Sequence, residues 1–200
     1  MKIGIFGGSF NPVHQGHILL AKTALSELNL DKVIFVPSFQ TPLKKTVLFL
    51  PTEERVRGLN AAIRKHKRFE LSDWEIKRGR LTYTIETLKH FRRLYAPKAS
   101  LYFLAGADTL KNLSRWKSID SVLKLCRFCV FSRPGYKLSK GISSRICWVP
   151  MEAMDVSATD LRRRVLSGLS VDGLLPQETK PLFAKWLKGE MSSIQKKRSQ

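Results

Sequence analysis

Two histidines near the start of the chain, His14 and His17, lie three positions apart with Gly16 between them. If a helix begins here, this spacing places both imidazole rings on one face of its first turn. Each ring can donate a hydrogen bond to a phosphate oxygen, and Gly16 is expected to leave room for that ligand. Two ordinary polar residues at a helix start would give the same pattern. A metal site is less favoured, because no nearby carboxylate or cysteine completes a ligand set.

The residues around the histidines indicate what positions them. Lys2 to Phe6 form a short apolar run, Gly7 and Gly8 turn the chain, and apolar residues recur at helical spacing from Ile18 to Leu28. A glycine turn lets backbone N–H groups approach a phosphate, and a helix start adds about half a positive charge and unsatisfied donors. The stretch therefore predicts a nucleotide-binding unit, although it matches neither G-x-x-x-x-G-K-[ST] nor G-x-G-x-x-G.

The segment from Gly7 to His17 resembles a known signature. It matches G-G-[ST]-F-[DN]-P-x-H-x-G-H, found in the nucleotidylyltransferases that share a Rossmann-like fold with class I aminoacyl-tRNA synthetases. This resemblance indicates the superfamily and leaves the substrate open.

The chain is strongly basic, with 36 Lys and Arg against 16 Asp and Glu and a net charge of +20. This excess of positive charge is compatible with binding of nucleic acid, with binding of anionic small substrates, or with a solvated surface that binds neither. The basic residues are dispersed over many segments instead of forming one arm, which favours the solvated surface. A nucleic-acid-binding module on a degenerate catalytic fold stays as a remote alternative.

Length and composition predict one α/β domain over residues 1–188 and a basic, disordered tail over 189–200. Cys126 and Cys129 form a C-x-x-C pair without a second pair for zinc, so we expect them and Cys147 to be buried reduced thiols. No apolar run approaches the ~18 residues of a membrane helix, and the chain begins directly with a strand. We expect a cytoplasmic protein without a membrane partner, either a monomer or a homo-oligomer.

Alternating strand and helix patterns predict a doubly wound parallel sheet. Strands are predicted at 2–6, 33–36, 69–71, 101–104, 128–131 and 146–149. Helices are predicted from residue 18, over 52–65 and 83–95, as short helices around 110–116 and 119–123, from residue 157, and over 182–187. Thr52 is expected to cap its helix, and Ser157 with Asp160 to form a capping box. Residues 73–80 are expected to be a polar connection, and 38–50 and 105–108 to be ligand-facing turns.

Further blocks extend the resemblance to about Trp186, and they select a family. They are Glu75 to Gly79 followed by Tyr83 to Leu88, Leu104 to Asp108 with Trp116, Ser132 to Gly135, and Val156 to Arg162. Together they are similar to the blocks of bacterial nicotinate-nucleotide adenylyltransferases. Leu43 and Ala158 depart from that pattern. Phosphopantetheine adenylyltransferases share only the first signature and, loosely, the last block.

This resemblance implies adenylyl transfer from ATP to nicotinate mononucleotide, giving nicotinate adenine dinucleotide and pyrophosphate. It implies catalytic roles for His17, His14, Arg162 and Lys44, with His17 donating to the α-phosphate as charge builds up there. ATP binding is implied for Gly7, Gly8, Ser9, Phe10, His14, Gly16, His17, Gly106, Asp108, Ser157, Thr159 and Arg162. Mg²⁺ is expected to enter with ATP and bridge the β- and γ-phosphate oxygens.

Acceptor binding is implied for Lys44, Tyr83, Thr84, Asp108, Trp116 and Arg133. Trp116 offers a flat face to a pyridine ring, although its residue type alone equally suits a core position. The amides of Tyr83 and Thr84 lie at a predicted helix start, which favours a carboxylate over an amide on that ring. Asp108 could accept ribose hydroxyls or cap the next helix. Nicotinamide mononucleotide and phosphopantetheine remain alternative acceptors.

Overall fold

A computed structural model describes residues 1–40, 50–132, 145–152, 154 and 156–185 of the chain. In these ranges one parallel sheet contains β1 (Lys2–Gly8), β2 (Lys32–Pro37), β3 (Phe69–Leu71), β4 (Ser100–Gly106), β5 (Arg127–Ser132) and β6 (Ile146–Pro150). The strand order is β3-β2-β1-β4-β5-β6, and every neighbouring pair is parallel. The predicted doubly wound parallel sheet is confirmed.

The helices in the same ranges are α1 (Gln15–Glu27), α2 (Thr52–Ile63), α3 (Trp74–Lys77), α4 (Thr84–Tyr95), α5 (Ile119–Leu125) and α6 (Ala158–Leu166). Two 3₁₀ helices span Ala107–Arg115 and Gln177–Thr179, and residues 180–185 are helical. None of these helices combines the length and the apolar composition that a membrane crossing requires.

The two faces of the sheet carry separate apolar cores. On one face, side chains of α1 and α2, such as Leu25 and Leu59, pack with Phe35 of β2. On the other face, Leu88 of α4 and Val122 of α5 pack with strand residues. Because both faces are covered, the central strands are continuous apolar runs, which is why their positions could be predicted closely.

The strand order creates a crevice at the carboxyl edge of the sheet. The chain passes from β1 to β2 and β3 in one direction, and β4 then lies on the other side of β1. The connections that leave β1 and β4 therefore lie over opposite faces, and open α/β sheets bind ligands in the space between such connections. The predicted glycine turn was wrong: Gly7 and Gly8 are the last two residues of β1, where they pair with Val36 and Pro37 of β2, and Ser9 follows the strand.

Several local expectations were wrong. Pro51, not Thr52, is the N-cap of α2, and the Thr52 hydroxyl instead accepts a hydrogen bond from Arg55. The 73–80 connection contains α3. The 105–108 segment is not a turn, because Gly106 still pairs with Phe131 in the sheet and a 3₁₀ helix follows directly.

The capping prediction at α6 is half correct. Ser157 is the N-cap and its hydroxyl accepts from the amide of Asp160 at 3.0 Å. The Asp160 carboxylate, however, pairs with Arg163 and Arg164. Some predicted features lie outside the described residues: Leu43, Lys44, the 133–135 turn with Arg133, and the 188/189 boundary with its tail.

Candidate active site

The β1–α1 connection holds the two histidines in contact. His14 is the N-cap of α1, and its backbone amide donates to Nδ1 of His17 at 3.1 Å. The two ring centroids are 3.6 Å apart. Because Nδ1 of His17 accepts a hydrogen bond, a neutral His17 carries its proton on Nε2. Nε2 is therefore the hydrogen-bond donor of the ring.

Aromatic side chains fix the orientation of His17. Phe10 contacts its ring with centroids 5.0 Å apart, and Phe6 does so at 5.8 Å. Phe10 adopts a left-handed backbone conformation (φ 44°), and its side chain is buried in the core beneath the connection. Phe10 stays a predicted ATP-binding residue, and its side chain packs against the His17 ring.

Gly16 lies where α1 meets the segment before α6. A Cβ atom at this position would lie 3.0 Å from Cγ1 of Val156 and 3.1 Å from Nδ1 of His14. In the direction of an added Cβ atom, the space beside Gly16 is therefore occupied by the His14 ring and Val156, although Gly16 also lines a cavity described below. Because glycine has no Cβ atom, the His14 ring can pack closely against the backbone at Gly16.

Arg162 connects α6 to the same connection. Its Nη1 donates to the carbonyl oxygen of Asn11 at 2.6 Å, and Nη2 donates to Oγ1 of Thr159 at 3.1 Å. Burial lowers the pKa of Arg162. The Asn11 side chain accepts from the amide of Leu50 at 2.9 Å. These contacts bring residues from distant parts of the chain to one point beside the histidines.

Two adjoining cavities open at the carboxyl edge of the sheet. The first, the His cavity, has a volume of about 350 Å³. Its lining includes Gly7, Gly8, Ser9, His14, Gly16, His17, Gly106, Asp108, Trp116, Ser157, Ala158 and Thr159. Most residues expected to bind ATP thus surround one space. A separate groove of about 310 Å³ beside Lys2 and Arg127 lies at the amino edge of the sheet.

The second space, the Tyr cavity, has a volume of about 420 Å³. It is lined by Gly7, Gly8, Ser9, Ser38, Gln40, Glu75, Thr82, Tyr83, Thr84, Thr87, Phe103, Arg115, Trp116 and Lys117. The two cavities share the Gly7–Ser9 segment at the end of β1, together with Phe103 and Trp116. This segment is therefore a common wall between two spaces, each large enough for part of a nucleotide.

Trp116 lies at the boundary of the two cavities. Its ring packs edge-on against Phe103 and Phe128, with centroids 5.7 and 5.8 Å apart. The residue is only partly buried and lines both spaces. Trp116 is therefore compatible with both roles considered from its sequence, a core residue and a surface for a pyridine ring. One part of the ring packs in the core while another part faces a cavity.

The two helix-start amides in the Tyr cavity differ in the structure. The amide of Tyr83 donates to Oε2 of Glu86 at 3.1 Å. Arg78 and Arg80 hold Oε1 of the same carboxylate at 2.9 and 2.8 Å. Thr84 is the first residue of α4, and the first-turn amides of a helix have no partner within it. A carboxylate ligand would therefore meet the Thr84 amide first.

Arg55 of α2 is a site residue that the sequence analysis missed. It is 2% exposed and donates to the carbonyl oxygen of Ser9 at 2.8 Å and to that of Phe39 at 3.4 Å. Burial lowers the pKa of Arg55 to about 10. A signal was present, because Arg55 shares the inner face of α2 with Leu59 and Ala62 at helical spacing.

Asp108 is exposed at the mouth of the His cavity, in the first turn of the 3₁₀ helix. It is the single carboxylate among the described residues that line this cavity. The described part of the chain contains no group of three or more His, Cys, Asp or Glu residues placed to hold a metal ion. Cys126, Cys129 and Cys147 are free thiols, but only Cys129 is fully buried, so the expectation of burial was wrong for Cys126 and Cys147. Partial burial still raises the pKa of Cys126 to about 12.

Comparison with known proteins shows the family to which this chain belongs. A family model described as cytidylyltransferase-like matches residues 5–164. A protein of Clostridium tetani described as a probable nicotinate-nucleotide adenylyltransferase is 37% identical over 195 residues, covering 92% of this chain and 97% of the relative. A relative of the same description from Moorella thermoacetica is 37% identical over 186 residues, covering 88% of this chain and 86% of that protein.

A solved structure shares the fold. The Plasmodium falciparum nicotinic acid mononucleotide adenylyltransferase, complexed with NaAD, superposes with a TM-score of 0.76 at 18% identity, covering 92% of this chain and 95% of that chain. With the histidine signature at the end of β1 and relatives matched along almost their whole length, this chain belongs to the nicotinate-nucleotide adenylyltransferase family of cytidylyltransferase-like proteins.

Proposed function

We propose that the protein transfers the adenylyl group of ATP to nicotinate mononucleotide, releasing pyrophosphate and nicotinate adenine dinucleotide in NAD biosynthesis. The observation that carries the proposal is the pair of cavities with one common wall at Gly7–Ser9. A transferase that joins two nucleotides needs two sites that meet at the reacting phosphate. The names of the relatives agree with this reaction.

The reaction requires alignment and charge stabilisation. A phosphate oxygen of the mononucleotide attacks the α-phosphorus of ATP, and the bond from that phosphorus to the α,β-bridging oxygen breaks. Pyrophosphate leaves in line with the attack, and no covalent enzyme intermediate is needed. Two polyanions held in this orientation over the Gly7–Ser9 segment would react as one unit.

His17 is proposed as the donor to the α-phosphate oxygens. The hydrogen bond from His14 N to Nδ1 supports this role, because it leaves Nε2 as the protonated nitrogen. Its preset orientation, held by Phe10 and Phe6, costs no reorganisation as charge develops. His14, whose ring is in contact with that of His17, is proposed to contact the same phosphates.

Arg162 and Lys44 are proposed as further cations around the triphosphate. Arg162 uses one N–H for Asn11 and one for Thr159, and a guanidinium has five in all. The amides that begin α6, next to Ser157 and Thr159, would add to the anion site. Mg²⁺ would enter as part of the substrate and would add positive charge at the phosphates, and Asp108 is the single carboxylate described in that lining.

The acceptor is proposed to occupy the Tyr cavity. Trp116 would stack on the pyridine ring, and the Thr84 amide would receive its carboxylate, which a helix start favours over a neutral amide. The Tyr83 amide would donate to the same carboxylate once its hydrogen bond to Glu86 is broken. Asp108 and Arg133 are proposed to contact the ribose and the phosphate of the substrates.

The remaining expectations concern the cell and partners. We propose a cytoplasmic location, where thiols such as the three free cysteines stay reduced. ATP and nicotinate mononucleotide are the proposed small-molecule partners. A homo-oligomer and a role for the basic surface in nucleic-acid binding are not needed for this reaction.

The proposal is tested by pyrophosphate release from ATP and Mg²⁺ with nicotinate mononucleotide, nicotinamide mononucleotide and phosphopantetheine as separate acceptors. The expected result is turnover with the acid mononucleotide at a kcat/KM well above that of the other two. Preferred turnover of phosphopantetheine, or no turnover with either mononucleotide, would contradict the proposal. Salt-sensitive binding of RNA without turnover would instead support the binding-module alternative.

A further inference from the structure

We propose that Glu75 determines the choice between an acid and an amide acceptor, by donating a hydrogen bond from its protonated carboxyl group to the carboxylate of the acceptor. The inference rests on the proposed function and adds Glu75 to the residues proposed to contact the acceptor. Glu75 is a buried acid in the Tyr cavity, the same space in which the acceptor's carboxylate is proposed to lie.

Glu75 is held in one position. It is 7% exposed, and its Oε1 accepts a hydrogen bond from Oγ1 of Thr87 at 2.5 Å. Thr87 is itself 1% exposed, and both residues line the Tyr cavity. The contact fixes one carboxyl oxygen as an acceptor and leaves Oε2 as the atom that can carry a proton.

The position of Thr87 relates Glu75 to the proposed carboxylate site. Thr84 and Thr87 lie three positions apart on α4 and therefore on one face, with Cβ atoms about 5–6 Å apart. The Glu75 carboxyl group, bonded to Thr87, thus lies about one helical turn from the first residue of α4. An ionised Glu75 here would repel a carboxylate at Thr84, whereas a protonated one could donate to it.

Charged groups around Glu75 do not neutralise it. From α4, the negative charge of Glu86 acts on Glu75 and disfavours a second negative charge there. Glu86 itself is engaged by Arg78 and Arg80. His90, also on α4, stacks on Trp74 with centroids 4.3 Å apart.

The remaining elements complete the surroundings. Across the cavity lie Arg115 and Lys117, and Nζ of Lys117 is 4.5 Å from the centroid of the Tyr83 ring. β2, which packs on α3, has no titratable side chain between Val33 and Pro37. Burial, with a smaller contribution from Glu86, raises the pKa of Glu75 to about 7, although the Thr87 hydrogen bond opposes the shift.

The consequence is a proton-linked preference. Below about pH 7 the carboxyl group is neutral and can donate to an acid acceptor. As the pH rises, the ionised group repels that carboxylate but can accept an N–H from an amide. The ratio of kcat/KM for nicotinate over nicotinamide mononucleotide is therefore expected to fall through neutral pH. If Glu75 only supports α4 through Thr87, both acceptors respond equally and the ratio stays constant.

The experiment measures this ratio from pH 6 to 9. In the wild type we expect a fall that approaches tenfold per pH unit above about pH 7. Ionisation of the acceptor phosphate, His17 and the metal complex affects both acceptors and cancels in the ratio. Glu75→Gln carries a permanent N–H donor and should give a flat ratio. Glu70→Gln, the same change on an exposed residue paired with Lys32, should behave as the wild type.

Proton uptake gives a second readout that does not depend on turnover. Calorimetric titrations at pH 8 in two buffers of different ionisation enthalpy should show uptake when wild-type protein binds nicotinate mononucleotide, and none with nicotinamide mononucleotide. A flat wild-type ratio, an unchanged fall in Glu75→Gln, or binding without uptake would overturn the role of Glu75. Uptake on binding without any pyrophosphate release would keep the site and overturn the proposed reaction.

Discussion

Nη1 of Arg162 lies 2.6 Å from the carbonyl oxygen of Asn11, a hydrogen bond between residues 151 positions apart. It attaches α6 to the connection that carries His14 and His17. One guanidinium thus positions the histidine connection and lies beside the cavity in which the triphosphate is proposed to bind. A lysine has no fork that could hold both a carbonyl and a phosphate.

This dual use makes Arg162→Lys informative. We expect kcat/KM for ATP to fall at least about tenfold in Arg162→Lys and further in Arg162→Ala, because hydrogen bonds to a charged group are lost. Steady-state kinetics with varied ATP measures the effect. Arg163→Ala is the matched control, since Arg163 is an exposed neighbour on α6 that pairs with Asp160. Equal loss in the control would show a general effect on α6.

His17→Ala should lower kcat by about 100-fold or more, because the donor acts as charge develops on the α-phosphate. The KM for the acceptor should change less, since His17 does not line the Tyr cavity. Single-turnover rates give the measurement. His66→Ala, which removes a ring packed on Phe69, is the control. An unchanged kcat would remove His17 from the mechanism.

Gly16→Ala tests the packing that places His14. The added methyl would meet Val156 and the His14 ring at 3.0 and 3.1 Å, so His14 must shift. We expect kcat/KM for ATP to fall about tenfold or more, as small displacements of positioned groups are costly. Gly58→Ala in α2 is the control, because its methyl would lie 4.0 Å from Thr179. That change should leave kinetics unaltered and add about 0.5–1 kcal/mol of stability.

Arg55→Ala should destabilise the fold and the Gly7–Ser9 segment together. It leaves the carbonyls of Ser9 and Phe39 without their buried donor, which costs about 2–4 kcal/mol in the free energy of unfolding. The KM for ATP should rise in parallel. Urea denaturation and kinetics measure the two effects. Arg57→Ala, on the exposed side of α2, should change neither. Loss of stability with an unchanged KM would separate Arg55 from the site.

The raised pKa of Glu75 should also make the free energy of unfolding depend on pH. Its pKa is raised in the folded state, so the folded state holds the proton more tightly than the unfolded chain. Wild-type stability should therefore decrease as pH rises from about 4.5 to 7, by up to about 3 kcal/mol, and Glu75→Gln should lack this decrease. Urea denaturation at pH 5 and pH 8 compares the two proteins. Parallel curves would contradict burial of the ionised group.

The sequence was most informative where a single local pattern decided the structure. β3 was predicted at its observed bounds, and α4 within one residue, because burial on both faces and helical periodicity leave few alternatives. The end of β4 was misjudged, since pairing of Gly106 with Phe131 depends on a strand distant in sequence. Local patterns cannot show when a neighbouring strand extends another.

In the candidate site, too, features set by the local sequence could be predicted, whereas contacts between distant residues could not. The histidine signature and the Ser157 cap were visible in the sequence. The reach of Arg55 to Ser9, the contact of Glu86 with the Tyr83 amide, and the ring of Phe10 beneath His17 depend on side-chain directions in the folded chain. Lys44 and Arg133 stay predictions, because they lie outside the described residues.

The wall shared by the two cavities also constrains how the product leaves. A dinucleotide formed across Gly7–Ser9 occupies both spaces at once, so it excludes ATP and the mononucleotide alike. Added dinucleotide should thus compete with both substrates for the free enzyme. Because it spans the common wall, its release must empty both cavities before the next cycle can begin.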